Sequence, residues 1–223
     1  MAKSKHGKRK MKKGTKALII IVLLAILGVG GYFGYKHFFN QKPVEVKVVG
    51  NIDKYGYTLK DSHPAAYKKM FDELKEILLA DTIDEEKYAK QISRMFIYDF
   101  YSLDYKKAKT DIGGVEFVHP AILDNFLFNA EDTYYKYVES DIYNNRNQQL
   151  PRVDEVEVKE IEKTSFDYTT TNEEGTKESF NDPEAYTVKV EWTYTTGAYD
   201  KYQSSATITI VHIDNKLYIV ECL

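Results

Sequence analysis

Tyr186-Thr-Val-Lys-Val-Glu-Trp-Thr-Tyr194 is the stretch that decides the fold, because large apolar side chains alternate in it with smaller polar ones. Alternation with a period of two is typical of a β-strand with one face in a core and the other in water. A second such run covers residues 206–213, and a tight turn at Asp214-Asn215 would reverse the chain after it. These runs predict an antiparallel sheet over residues 153–222.

A polar segment, residues 169–183, joins the first two long strands of this predicted sheet. It contains Asn172-Glu-Glu-Gly175 and no periodic apolar pattern. Because such residues favour turns, we predict a solvated loop here.

The chain before the sheet has a different period. Across residues 64–142 large apolar side chains recur at three- and four-residue spacing, which is typical of helices with one buried face. Pro64 suits the first position of one helix, and Thr82-Ile-Asp-Glu85 matches a capping box that would open a second. Pro120 would start a third helix, running to Val138, after a turn at Gly113-Gly114. Helices followed by an antiparallel sheet make an α+β fold.

Residues 17–35, ALIIIVLLAILGVGGYFGY, form a run of nineteen residues without a charge. At ~1.5 Å rise per residue, a helix of this length spans about 28 Å of hydrocarbon. The basic residues before it place the N-terminus in the cytoplasm, while Tyr32, Phe33 and Tyr35 fit an outer aromatic belt. We therefore predict a signal-anchor: a single-pass transmembrane helix in the cell membrane, with the C-terminal domain outside.

A cleaved secretory signal is the alternative for this run. Its apolar part usually has about 7–15 residues and ends in small residues that resemble A-x-A. Gly28-Val-Gly30 fits that pattern poorly, so we favour an uncleaved anchor. The GxxxG spacing of Gly30 and Gly34 would let two such helices pair, which leaves an oligomer open.

The charge is unevenly distributed along the chain. Residues 1–16 contain eight of the 31 basic residues and no acidic one. The rest of the chain therefore has 23 basic and 34 acidic residues, which is a net charge of -11. An acidic domain lacks the basic surface that nucleic acids require. The basic tail is expected to contact anionic membrane lipid instead. Cys222 is the single cysteine, so an intramolecular disulfide is excluded.

The chain thus divides into four predicted parts. A cytoplasmic basic tail is followed by the transmembrane helix, then by a linker with an extended arm around Val44–Val49, and finally by the extracytoplasmic α+β domain. Their bounds are 1–16, 17–35, 36–63 and 64–223, with helices in 64–142 and the sheet in 153–222.

The order of a helical pair, a third helix and a curved antiparallel sheet ending in Ile213-Asp-Asn-Lys-Leu-Tyr-Ile-Val220 resembles the nuclear-transport-factor-two-like (cystatin-like) superfamily. The resemblance covers residues 64–223 and implies a sheet that wraps round the helices to leave a cone-shaped cavity. With the anchor added, the chain is similar to inner-membrane scaffold subunits of type IV secretion and conjugation systems, and to anchored domains at the front of some penicillin-binding proteins. Neither likeness brings catalytic residues with it.

Enzymes of this superfamily place an aspartate or histidine base in the cone, which makes Asp111, His119 and His212 the catalytic candidates. A neutral imidazole near pH 7 can accept or donate a proton. Each histidine also has a structural interpretation, which we favour: His119 precedes Pro120 at a helix start, and His212 lies in a predicted strand.

No metal or cofactor site is predicted. The five histidines are scattered, and no H-x-x-x-H, H-E-x-x-H or C-x-x-C spacing occurs. The acidic residues between Asp81 and Glu86 coincide with a helix start, where the helix dipole favours them. The chain also lacks a G-x-S-x-G elbow, a phosphate-binding loop and a dinucleotide fingerprint.

We therefore expect a non-enzymatic scaffold domain of a bacterial cell envelope that makes protein-protein interactions outside the membrane. The alternatives are a module that binds lipid, peptide or glycan in the cone and, third, a small enzyme of dehydratase or isomerase type. The chain has nineteen tyrosines, and an exposed subset would mark an interface. Those that crowd the predicted helices are Tyr98, Tyr101, Tyr134, Tyr135 and Tyr137.

Overall fold

The structure is a computed structural model that describes residues 43–171, 177–199 and 201–223. Residues Val44–Leu223 form one compact unit. The predicted basic tail and the predicted transmembrane helix at 17–35 lie outside the described residues. Among the residues that the structure does describe, no helix combines the length and apolar character needed to cross a membrane.

Two helices, α1 (Ala65–Leu79) and α2 (Glu85–Tyr101), pack against each other as the apolar stripes predict. The start of α2 differs from the predicted capping box. Its cap is Asp84, whose carboxylate accepts a hydrogen bond from the Lys87 amide, rather than Thr82. Aspartate is a strong N-cap, and it directly precedes two further acids in the first turn, where the dipole stabilises them. The buried stripe of α1 comprises Tyr67, Met70, Phe71, Leu74 and Leu78.

The third helix is shorter than the sequence predicts. Residues Pro120–Ile122 form a 3-10 turn, α3 covers Leu123–Asp132, and irregular turns follow. The predicted continuation to Val138 is therefore wrong. Tyr135 is turned toward α2, where its hydroxyl donates to the Phe100 carbonyl at 2.7 Å. This tertiary contact outweighs the local preference to continue the helix.

Four antiparallel strands form the predicted sheet, each paired with the next strand along the chain, and a separate pair of strands precedes them. Between β3 (Val153–Thr171) and β4 (Lys177–Tyr194), two register shifts place an extra residue in β3, and a third, between Thr164 and Phe166, places one in β4. Such bulges bend a strand and curve its sheet. The alternation predicted for residues 186–194 is confirmed, because Tyr186, Val188, Val190 and Trp192 are all buried. The strands are β3 (Val153–Thr171), β4 (Lys177–Tyr194), β5 (Ser205–Ile213) and β6 (Lys216–Cys222).

The predicted loop at 169–183 is too long, because β3 and β4 stay paired as far as Thr171 and Lys177. The centre of that prediction, residues 172–176, lies outside the described residues. Strand β4 pairs with β5 only between Tyr186 and Glu191, so the outer parts of β3 and β4 form a two-stranded ribbon. The β4 side of the ribbon is exposed from Lys177 to Asn181, whereas alternate residues of β3, namely Phe166, Tyr168 and Thr170, are half-buried. Thr169 and Ser179 hydroxyls meet across the two strands at 3.3 Å.

Strands β1 (Val48–Ile52) and β2 (Tyr57–Lys60) form an antiparallel hairpin before α1. Gly56 adopts a left-handed conformation, φ 67°, in the turn between them. The hairpin buries four large side chains in the main core, so the compact unit begins well before the boundary at Pro64 that the sequence suggested. These side chains are Ile52, Tyr55, Tyr57 and Leu59.

One packed core fills the space between α2 and the sheet. Ile92 and Met95 of α2 have no exposed surface, nor have Val188, Ile208 and Ile210 of the sheet, and all belong to one apolar cluster. The interior that the superfamily resemblance would leave as a cone-shaped cavity is therefore occupied here by side chains.

Candidate functional site

Asp111, the first catalytic candidate, lies in the turn before Gly113. Its Oδ2 accepts a hydrogen bond from the Lys107 amide at 2.9 Å, and its Oδ1 lies 3.7 Å from the Lys60 ammonium. Asp111 is half-buried, and its hydrogen bond to the backbone four residues earlier is typical of an aspartate that stabilises a turn.

His119, the second candidate, is buried and caps the 3-10 turn before α3. Its Nδ1 accepts a hydrogen bond from the Ala121 amide at 3.1 Å, and its ring contacts the edges of Tyr168 and Tyr218. Burial lowers the pKa of His119, which keeps the imidazole neutral near pH 7. The structure thus gives it a capping role.

His212, the third candidate, forms a pair with Asp182 at the base of the ribbon. The Asp182 Oδ2 lies 2.8 Å from His212 Nδ1 and also accepts from the His212 amide at 2.7 Å. Burial would raise the pKa of Asp182, but these hydrogen bonds hold it below its ordinary value. The other imidazole nitrogen lies 3.7 Å from Glu85, so the pair joins the ribbon, β5 and the start of α2.

The three candidates make these contacts with separate sets of partners. No hydrogen bond or ion pair found among the described residues joins Asp111, His119 or His212 to one another. The described residues likewise contain no group of three or more His, Cys, Asp or Glu side chains that could hold a metal ion.

A buried polar cluster surrounds Asp99, and no pattern in the sequence predicts it. The Asp99 carboxylate forms an ion pair with Lys106 and accepts hydrogen bonds from Tyr105 at 2.5 Å and from the Gly114 amide at 2.7 Å. Burial would raise the pKa of Asp99, but Lys106 and His63 together with these hydrogen bonds hold it well below its ordinary value. Asp99 is therefore ionised inside the protein.

Gly113 and Gly114, the glycine pair predicted as a turn, also lie against α2 where this cluster forms. A Cβ on Gly113 would lie 2.1 Å from the Asp99 carbonyl oxygen, and one on Gly114 would lie 2.5 Å from the Phe96 ring. Gly114 also has a φ of 71°, which side chains disfavour. The two glycines let the backbone approach α2 closely enough to donate to Asp99.

Glu116 extends the same polar region toward the N-terminal hairpin. Its carboxylate accepts from the Thr58 amide at 2.9 Å, from the Thr58 hydroxyl at 3.3 Å and from the Tyr67 hydroxyl at 3.4 Å. Burial raises the pKa of Glu116 to about 7, and burial lowers that of nearby His63 to about 4. Glu116 thus contacts β2 and α1, and His63 beside them lies 3.9 Å from Asp99 of α2, so these side chains connect the three elements inside the domain.

An open groove at another part of the surface has the character of a binding site. It has a volume of about 510 Å³ and is lined mainly by tyrosine, amide and aliphatic side chains. Tyr137 is 77 % exposed and Tyr202 is 49 % exposed, which is unusual for rings of this size. We call it the tyrosine groove, and its defining residues are Tyr134, Tyr137, Gln148, Tyr199, Tyr202 and Gln203.

The walls of the tyrosine groove are held by hydrogen bonds from buried or half-buried groups. The Arg146 guanidinium donates to the carbonyls of Asp104, Lys106 and Glu139, which ties the loop after α3 to the end of α2. Gln148 then bonds the backbone of the same loop through both ends of its carboxamide. The loop that lines the groove is thus held by hydrogen bonds within the domain.

The tyrosines named from the sequence divide between core and groove. Tyr98, Tyr101 and Tyr135 are buried, whereas Tyr134 and Tyr137 line the groove. Tyr199 and Tyr202 were not predicted, because they lie between two strands in a segment without periodicity. Their one signal is the clustering of aromatic residues with glycine in Thr195–Tyr202.

Comparisons with protein-family models, with curated proteins and with solved structures give no match to this chain.

Proposed function

We propose that this chain is a non-enzymatic, membrane-anchored scaffold domain that binds another envelope protein through the tyrosine groove. The observation that carries the proposal is the pair of exposed rings, Tyr137 and Tyr202, at a preformed and largely apolar groove. Protein interfaces are enriched in tyrosine, and rigid walls reduce the entropy lost on binding.

The anchor in this proposal is supported by residues 17–35 and by the basic tail before them. It places the domain outside the cell membrane, where a scaffold subunit of a secretion or conjugation system would act. The likeness in element order to the nuclear-transport-factor-two-like superfamily agrees with that assignment. In intact cells, external protease should digest a C-terminal tag and spare an N-terminal one, and digestion of the N-terminal tag would contradict the topology.

The partner is tested by crosslinking inside intact cells. A photoreactive amino acid replaces Tyr137 in one variant of the full chain and Phe128 in a matched control, since Phe128 is similarly exposed, at 72 %, but lies outside the groove. We expect crosslinked envelope proteins from position 137 and none of the same bands from position 128. Recovery of the uncrosslinked chain alone from both variants would contradict the proposal.

A further inference from the structure

Strand β3 has one open edge along much of its length. It pairs with β4 on one side, and no hydrogen bond found among the described residues joins the backbone of residues 154–163 to anything but β4. With 19 residues, β3 is far longer than the roughly six residues of a typical strand. The unpaired N–H and C=O groups of such an edge can pair with a further strand.

Two other strand edges in the described part are covered by the domain itself. On the side of β6 away from β5, the Ile219 carbonyl accepts a hydrogen bond from the His119 amide at 2.9 Å, and Val118 forms a bridge with Ile219. On the side of β2 away from β1, the Glu116 carboxylate accepts from the Thr58 amide. The edge of β3 has no such cover among the described residues, so the main sheet can be extended there.

An acidic cleft lies beside this edge, on the solvent-exposed face of the sheet. It has a volume of about 360 Å³, and its charged walls are Glu155, Glu157, Lys159 and Glu191. The Lys159 ammonium lies 2.5 Å from the Glu157 carboxylate and 3.3 Å from that of Glu191, whereas Glu155 forms no ion pair with a described residue. Three carboxylates thus share one ammonium, and the cleft attracts a further cation.

The edge continues beyond the cleft as a regular strand with two different faces. Between Glu160 and Thr164 the pairing with β4 has no register shift. Glu162 is exposed there, and the neighbouring lysines form ion pairs with other acids. On the opposite face Val158 and Ile161 are only half-buried at the margin of the core. An added strand would therefore meet acids on one face and apolar side chains on the other.

The charge of this edge determines which strand fits it. A second copy of this chain would bring the acids of one β3 close to those of the other, and like charges on facing strands are destabilising. A segment in which basic and apolar residues alternate complements both faces, because successive side chains of a strand point to opposite faces. Backbone hydrogen bonds would then provide affinity, and a basic side chain in the acidic cleft would provide specificity.

We propose that the open edge of β3 accepts, as a fifth strand of the sheet, an extended segment of another protein in which lysine or arginine alternates with apolar residues. This surface is separate from the tyrosine groove, so the inference goes beyond the proposed function and does not depend on it.

The test titrates the purified full-length chain, in mild detergent at physiological salt, with a labelled and end-blocked peptide of about nine residues in which Lys and Val alternate. Fluorescence anisotropy should show saturable binding. Two matched peptides have N-methyl groups on the odd or on the even amides, which keeps the charge and blocks pairing along one edge only. One of the two should bind about tenfold more weakly, and the other should keep its affinity.

Charge reversal on the chain gives a second readout. Glu155→Lys combined with Glu162→Lys should weaken binding about tenfold, because both acids face the added strand. The matched control combines Asp72→Lys with Asp124→Lys, which changes the net charge equally at exposed positions on α1 and α3. The control should retain the affinity. Hydrogen exchange should show that the bound peptide protects the amides of residues 160–164.

Every other outcome overturns the proposal. Equal affinity of the two methylated peptides, or equal losses in the two double variants, would mean that only unspecific charge attraction holds the peptide. Absence of saturable binding also overturns strand addition. Protection of residues 160–164 that rises with protein concentration in the absence of peptide would identify a second copy as the occupant. Crosslinks from position 137 report on the tyrosine groove alone, so the proposed function is tested separately.

Discussion

Glu116 is a buried carboxyl group whose ionisation opposes folding. Its pKa is about 7 in the folded domain, against an ordinary value of 4.5, so the folded state binds an extra proton between those values. The free energy of unfolding should therefore fall as pH rises from about 4.5 to about 7 and stay lower above that range. The full difference corresponds to ~3 kcal/mol.

Glu116→Gln should flatten this part of the pH profile, because the amide keeps the shape of the side chain without the ionisation. Urea unfolding at pH 5 and pH 8 measures the effect, with Glu155→Gln on the exposed face of β3 as the control. Equal slopes of stability against pH for the wild type and Glu116→Gln would refute this role of Glu116.

Lys106 and Asp99 form a buried ion pair in which each side chain compensates the charge of the other. Lys106→Met should destabilise the domain by about 3–5 kcal/mol, because it leaves the Asp99 carboxylate charged and without its cation. Adding Asp99→Asn should recover part of the loss, since the neutral amide needs no cation and its one carbonyl oxygen can still accept from either Tyr105 or the Gly114 amide. Urea unfolding of the two single variants and the double variant gives the coupling energy, and additive losses would show that the pair does not couple.

At the scale of elements, the ribbon formed by the outer parts of β3 and β4 is a separable piece. Phe166 is paired with Asp182, so replacing residues 167–181 by an Asn-Gly turn would close a shorter hairpin at that pair. The pairing of β4 with β5 begins at Tyr186 and would be kept, as would the contact between Asp182 and His212.

The shortened chain should unfold within about 1 kcal/mol of the wild type, because the removed residues bury little surface in the core. Thermal unfolding followed by circular dichroism measures this. A loss of several kcal/mol would mean that contacts of the ribbon, such as that of Tyr168 with His119, contribute to the main fold.

At the scale of the whole molecule, the N-terminal hairpin is part of the domain rather than of its linker. A fragment of residues 44–223 should unfold cooperatively, whereas one of residues 64–223 should not. The shorter fragment lacks Ile52, Tyr55, Tyr57 and Leu59, and burial of each large apolar side chain contributes about 1.5–3 kcal/mol. Their sum is comparable with the whole stability of a typical domain, about 5–15 kcal/mol.

Urea titration of both fragments, followed by tyrosine and tryptophan fluorescence, distinguishes the two cases. A cooperative transition of the shorter fragment at the midpoint of the longer one would show that the hairpin is an appendage.

The sequence by itself determined the elements whose burial is periodic. Residues 186–194 of the sheet and the stripes of α1 and α2 could be predicted, since a face that meets the core repeats every two or about 3.6 residues. It also indicated the turn at Gly113-Gly114, but not why both positions are glycine. The approach to Asp99 and Phe96, residues distant in the chain, supplies that reason.

Only the tertiary structure decided the features that depend on segments far apart in the sequence. The outer ribbon was not predicted because residues 169–183 are polar and typical of a loop, whereas pairing between β3 and β4 holds the described part of this segment extended. Helix α3 ends at Asp132, and Tyr135 beyond it bonds to a carbonyl of α2. The tyrosine groove unites the turn after α3, the loop before β3 and the turn before β5. Periodicity indicates which positions of an element face the core, but not which distant residues they contact. The groove could therefore be recognised only in the tertiary structure.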